Sequence, residues 1–202
     1  MRSLLEVDVP NELKRMLAVG CLALSACGEA ETPSQVVVRD EEWLALVDSD
    51  DAGSDTFDEE PRRVRLSEFS AQGRPGTKLI MLVGAAGWCA PCQVEAAALS
   101  AFAADYEGRG VVVLTALIQD ADSQPAELEF AKRWASTFSL TVPTLIDSKF
   151  VTADYFDLAA MPSTLIIDAT NFNLRQVVVG ADTGPDPLAK YRKLLDHYLS
   201  ES

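Results

Sequence analysis

The amino-acid sequence predicts an α/β sandwich built on a mixed central β-sheet. Three observations carry this. Two continuous apolar runs of strand length, Lys78–Ala85 (KLIMLVGA) and Val111–Ile118 (VVVLTALI), have the composition of strands buried on both faces. Each is followed by a stretch of helical character, residues 90–106 and Ala126–Phe138, the second with Leu128, Ala131, Trp134 and Ala135 on one side. The chain then closes with a strand pair, Thr164–Asp168 and Arg175–Val179, across an Asn-containing turn at 171–173, followed by an amphipathic helix over Leu188–Leu199. Strands alternating with helices imply parallel pairing, and the terminal hairpin adds antiparallel strands to the same sheet.

The remaining elements are shorter. Val64–Leu66 and Thr144–Ile146 read as short strands, and Val151–Leu158 as a short helix. Val36–Asp40 and Trp43–Val47 each fit a short strand or a helix. Residues 48–60 (DSDDAGSDTFDEE) form an acidic, turn-rich loop. A calcium-binding reading of that loop lacks the glycine and terminal glutamate of EF-hand spacing. Glu29–Ser34 is a polar, proline-containing tether.

The N-terminus reads as an address. Met16–Ala26 is apolar but too short to span a bilayer, and Lys14 and Arg15 precede it as a positive flank. It ends in Leu24-Ser25-Ala26-Cys27, which resembles a bacterial lipobox. By that resemblance residues 1–26 are a signal peptide, and Cys27 becomes the first mature residue and carries the lipid anchor. A start at Met16 would remove both basic residues, so the start remains open. The resemblance places the mature chain outside the cytoplasm, as a membrane-anchored lipoprotein on the periplasmic side. It leaves residues 27–60 as anchored tether and acidic loop and residues 61–202 as the folded domain. Cys21 is discarded, and Cys89 and Cys92 are the thiols left, in a compartment where disulfides form.

A net charge of −14 argues against nucleic-acid binding, which needs a basic face. The chain has one histidine, His197, near its end. Two cysteines and a remote histidine do not make a four-ligand zinc site, and no Ser-His-Asp set, P-loop or dinucleotide fingerprint is evident.

The chemistry concentrates in Trp88-Cys89-Ala90-Pro91-Cys92, which follows a buried strand and opens a helix. A cysteine at a helix N-terminus faces unpaired backbone N–H groups and the positive end of the helix dipole. Both favour thiolate, so Cys89 is expected to be the accessible, attacking sulfur. Cys92, one turn further in, is expected to be the less accessible resolving thiol. Pro91 suits a first helical turn, where a missing N–H matters little. Cys92, Glu95, Leu99, Phe102 and Tyr106 share one stripe of that helix. Glu95 thus occupies a position where an apolar residue is expected. A carboxyl there is partly desolvated, and its raised pKa would let it exchange protons with the buried thiol.

W-C-x-P-C after a strand resembles the thioredoxin superfamily, over roughly residues 60–202. The resemblance implies a thioredoxin-like three-layer sandwich with a central mixed β-sheet. It also identifies Met161-Pro162-Ser163-Thr164 with the family's cis-proline loop. Pro162 is then cis, the backbone of Met161 pairs with substrate, and Trp88 and Pro91 lie on the substrate side. Pro143, in Thr141-Val142-Pro143-Thr144, is the other proline in a similar setting. The spacing C-x-x-C-x-x-E resembles the TlpA/ResA-like branch. Thioredoxin's own buried acid falls at Val83, so that acid is absent here.

What the resemblance implies is a thiol–disulfide oxidoreductase that reduces disulfides of extracytoplasmic proteins. It needs no cofactor beyond the Cys89–Cys92 disulfide. Its partners are disulfide-containing proteins and an electron donor that the sequence does not name. A peroxiredoxin-like peroxidase is the rival enzyme, but it wants a threonine shortly before the reactive cysteine, and residues 84–88 contain none. A copper-binding module would need a histidine ligand near the sheet edge, and His197 is expected to be exposed. A purely structural disulfide closing so short a loop would add little stability.

Overall fold

The computed structural model describes residues 36–47 and 61–201. Its strands are β1 (Glu42–Leu46), β2 (Arg62–Arg65), β3 (Leu79–Ala86), β4 (Val111–Gln119), β5 (Thr144–Ile146), β6 (Ser163–Asp168) and β7 (Leu174–Val179). Its helices are α1 (Ala90–Glu107), α2 (Leu128–Thr137) and α3 (Ala189–Ser200). The strands form one sheet in the order β2-β1-β5-β4-β3-β6-β7.

The two apolar runs become the central strands because both of their faces are covered. β3 is buried at every position, and it pairs in parallel with β4, Leu79 beside Val111 and Ala85 beside Leu117. β5 extends the parallel set through Thr115↔Thr144, and β1 and β2 add antiparallel strands beyond it. On the other side β6 runs antiparallel to β3 and β7 antiparallel to β6.

Side chains alternate across β3. Leu79, Met81, Val83 and Ala85 enter one core with α1, α2 and α3, while Ile80 and Leu82 enter a second core on the opposite face. The helical layer contributes Leu99 and Phe102 from α1, Trp134 from α2, and Tyr191 and Leu195 from α3. Burying an apolar side chain of this size contributes about 1.5–3 kcal/mol. The second face is closed by Phe69, at the end of a one-turn 3-10 segment over Leu66–Phe69, and by Phe156.

Two expectations change. The short helix expected over Val151–Leu158 is a single 3-10 turn, Val151–Asp154. The Asp147 carboxylate caps the turn, taking the N–H groups of Val151 and Thr152 and the Thr152 hydroxyl, and the N–H groups of Ala153 and Tyr155 then donate three residues back, to Phe150 and Thr152, in 3-10 spacing. The second change concerns the boundary at residue 61. β1 sits inside the sheet between β2 and β5, with Trp43, Ala45 and Leu46 buried, and Val37 makes an isolated bridge to Asn173. Among the described residues, 36–47 therefore belong to the same compact unit as 61–201. A segment as short as EWLAL becomes a strand only when partners on both sides take its backbone groups, and no local pattern carries that information. The expectations for Cys21, Cys27, the signal peptide, the tether and the acidic loop fall outside the described residues.

Candidate functional site

The cysteine pair sits where the central strand ends and α1 begins. Gly87 makes the turn between them. Its N–H donates to the Gln119 carbonyl at 2.8 Å, and its own carbonyl accepts from Gln93 Nε2 at 2.9 Å. A Cβ at this position would lie 2.5 Å from Phe130 Cζ and 2.6 Å from the Ala121 backbone nitrogen, so the close approach admits only glycine.

Cys89 is the N-cap of α1, and its Sγ accepts the Cys92 N–H at 3.2 Å. Pro91 occupies the first turn. The two cysteines are joined by a disulfide, with their Cα atoms 5.2 Å apart. The expected contrast in accessibility is absent: Cys89 is 3% exposed and Cys92 2%. In the oxidised pair the first sulfur is tied back onto the first turn, and both residues pack into the core beneath α1. What distinguishes them is position. Cys89 caps the helix, where free N–H groups favour a thiolate, and Cys92 lies inside it.

Trp88 stands beside the pair, 39% exposed, with its Nε1 donating to Gln119 Oε1 at 3.0 Å. The Gln119 amide is itself held, donating to the Ser123 carbonyl at 2.8 Å. Gln119 carries no local sequence signal for this place. It is the last residue of β4, and only the pairing of Ala86 with Gln119 brings it level with the motif.

The same end of the sheet carries the second proline loop. Because β6 runs antiparallel to β3, with Ser163 beside Gly84, the start of β6 lies at the end of β3 where the cysteine motif begins. The Met161–Pro162 peptide is cis. Met161 is half-buried and packs against both cores, and Pro162 is buried.

Glu95 is 1% exposed, on the stripe of α1 that faces the core. Tyr191 donates its hydroxyl hydrogen to Glu95 Oε2 at 3.1 Å, and the Thr164 hydroxyl donates to the Tyr191 oxygen at 2.9 Å. Lys190 Nζ lies 3.0 Å from Oε1, an oxygen that has no partner of ordinary hydrogen-bond geometry, so the lysine acts on it as a charge. Burial pushes the Glu95 carboxyl above the usual carboxylate range, against the opposing pull of Lys190 and Tyr191. Burial and the Glu95 charge in turn push the Tyr191 phenol up, so it remains a donor. Val83 is buried in the same helical-side core as the cysteines, so the acid of this site comes from the helix and not from the strand.

His197 is exposed and lies 3.5 Å from Glu201 on α3. Among the described residues no group of three His, Cys, Asp or Glu side chains is arranged to hold a metal ion, and no helix is long and apolar enough to cross a membrane.

The AhpC/TSA family model matches residues 51–175, well over half of the chain. The protein belongs to the AhpC/TSA family. It is 31% identical over 99 residues to the thioredoxin-like protein YneN of Bacillus subtilis, covering 49% of this chain and 55% of that one. It is 25% identical over 122 residues to the thiol-disulfide oxidoreductase ResA of Geobacillus kaustophilus, covering 60% of this chain and 63% of the relative. The chain thus spans less than two thirds of the length of either. Among solved structures it resembles a secreted thiol-disulfide isomerase from Corynebacterium glutamicum, with a TM-score of 0.56 at 19% identity, covering 81% of this chain and 83% of the other. It also resembles AhpC of Enterococcus faecalis, with a TM-score of 0.59 at 18% identity over 83% and 93% of the two chains. At such identities the structural likeness is one of fold, and the fold of the family is thioredoxin-like.

Proposed function

We propose that this protein is a thiol–disulfide oxidoreductase that reduces disulfides of extracytoplasmic proteins through Cys89 and Cys92. The observation that carries the reading is the Cys89–Cys92 disulfide at the mouth of α1, with Cys89 as the helix cap. In the reduced protein the Cys89 thiolate attacks a client disulfide and releases one client thiolate, leaving a mixed disulfide. The Cys92 proton passes to Glu95, and the Cys92 thiolate attacks Cys89 Sγ. The second client thiolate leaves, and the client is reduced as the pair is oxidised.

Exposed Trp88 is the surface at which a client first arrives, and the Met161–Pro162 loop at the same end of the sheet offers backbone to it. The Ala90-Pro91 dipeptide brings no histidine to over-stabilise the reduced pair, which favours a reducing role. The relatives named thiol-disulfide oxidoreductase ResA support the same chemistry. The Leu24–Cys27 motif supports lipidation at Cys27 and membrane anchoring outside the cytoplasm, with an electron donor re-reducing the pair.

Insulin reduction by the purified protein tests this, with Cys89→Ser and Cys92→Ser as controls and a glutathione titration to give the potential. Both variants are expected to lose turnover, and full activity in both ends the enzyme reading. Cys92→Ser should instead accumulate mixed disulfides with its clients. The solved AhpC structures sharing this fold make a peroxidase the second reading. Hydroperoxide consumption in the same preparation separates the two, because the proposed reductase consumes none beyond the rate of a free thiol.

A further inference from the structure

Glu95 is sealed in the core, yet one cation reaches it from the surface. Lys190 stands at the start of α3, with its side chain 20% exposed and its Nζ 3.0 Å from Glu95 Oε1. The ammonium also donates to the Gly180 carbonyl at the end of β7, and it lies 4.6 Å from the centroid of the Tyr191 ring. A lysine with an unbranched stem can fill this role because its carbons cross apolar ground while its charge ends where it is needed. Three contacts from three directions hold the group in place.

The groups that act on Glu95 come from every element packed against it. Lys190 and Tyr191 belong to α3 and Asp182 to the loop between β7 and α3, and on Glu95's own helix the disulfide-bonded Cys92 precedes it by three residues. Burial and the Asp182 charge oppose ionisation of Glu95, and Lys190 and the Tyr191 hydroxyl favour it. Of the two supporters, only Lys190 carries a charge.

We propose that Lys190 is a positioning residue for disulfide exchange: its ammonium, ion-paired with Glu95 on the buried stripe of α1 that also carries Cys92, holds the carboxylate in its charged, proton-accepting form. The inference rests on the exchange reading above. In the resolving step the Cys92 proton moves to the Glu95 carboxylate, the sulfur–sulfur bond to the client breaks and the Cys89–Cys92 bond forms. Lys190 exchanges no proton or electron in that step. It sets whether the acceptor is empty when the thiol needs it.

The test compares the native full-length protein with Lys190→Met and Lys190→Arg. Two readouts are taken: the pH profile of insulin reduction, and the carbon-13 titration of the Glu95 carboxyl in the reduced protein. Methionine keeps the stem and removes the charge, so the acid limb of the profile and the Glu95 titration should both move to higher pH by about one unit or more. Arginine should return both close to their native positions. A folded Lys190→Met protein whose Glu95 titrates as in the native chain overturns the role of Lys190, and so does a shift that arginine does not reverse. Should Lys190→Met fail to fold, Lys190→Gln takes its place in the same titration. A Glu95 midpoint moved up by about one unit or more supports the role, and one within a few tenths of a unit of native overturns it. No insulin reduction by the native protein overturns both this inference and the exchange reading, and normal reduction with unmoved titrations overturns this one alone.

Discussion

At Glu95 two opposing effects meet in one side chain. Burial favours the neutral acid, while the lysine and the tyrosine hydroxyl favour the carboxylate, and the balance leaves its pKa above the ordinary value. The sign for the reaction follows. In the proposed exchange Glu95 would accept the Cys92 proton only when ionised, so the resolving step is expected to speed up as pH rises through the raised Glu95 pKa. In Glu95→Gln that rise should disappear, and the rate should increase only where the thiol ionises by itself, at a pH of about 8.5. Loss of a positioned base is expected to slow exchange about 100-fold or more at neutral pH. The pH–rate profile of insulin reduction checks this, and an unchanged profile would return Glu95 to a purely structural role. The stripe of Cys92, Glu95, Leu99, Phe102 and Tyr106 was legible from helical spacing alone, and all five residues are buried. The partner of Glu95 was not. Lys190 lies 95 positions away, on another helix, and nothing local to either residue names the other.

At the scale of elements, the turn between β3 and α1 decides where the sulfurs lie. Gly87 passes against Phe130 and the backbone at 120–121 too closely for any side chain. Gly87→Ala should therefore destabilise the fold by about 1–3 kcal/mol. Urea denaturation measures the loss, and slower insulin reduction would show that the helix mouth has moved with the turn. Long elements with a strong period are legible in the sequence: β3, α1 and β4 lie within a residue or so of their expected limits. Short ones are less so. α2 starts at Leu128, two residues later than expected, because the Ala126 N–H is taken by the Ile118 carbonyl of β4 and Glu127 becomes the cap. Val151–Leu158 has apolar residues enough for a helix. However, Phe150 enters it in the left-handed region at φ 58° and the Asp147 carboxylate closes the turn, so Phe156 is delivered to the second core without a helix.

Across the whole molecule, β1 joins the outer antiparallel pair to the parallel centre. A chain beginning at residue 61 would lose Trp43, Ala45 and Leu46 from the two cores, free one edge of β5 and leave β2 without its partner. The lost burial alone is on the order of 5 kcal/mol, a large share of the 5–15 kcal/mol by which domains are stable. Such a chain should show no cooperative urea transition, whereas a chain beginning at residue 35 should unfold in one. Equal midpoints would mean that β1 is an ornament on a domain that starts at 61.

The sequence by itself determined the layered α/β class, the central strands, the cysteine pair at a helix mouth and the acid on the buried stripe. Those features are local, because period, run length and helix-end chemistry are written in neighbouring residues. Tertiary structure alone decided the place of β1 in the sheet, the grip of Gln119 on Trp88, the equal burial of the two cysteines and the pairing of Lys190 with Glu95. Each of these depends on which distant segments the packed sheet and helices bring within a few ångströms, and contacts of that kind have no signature in the spacing of a single chain.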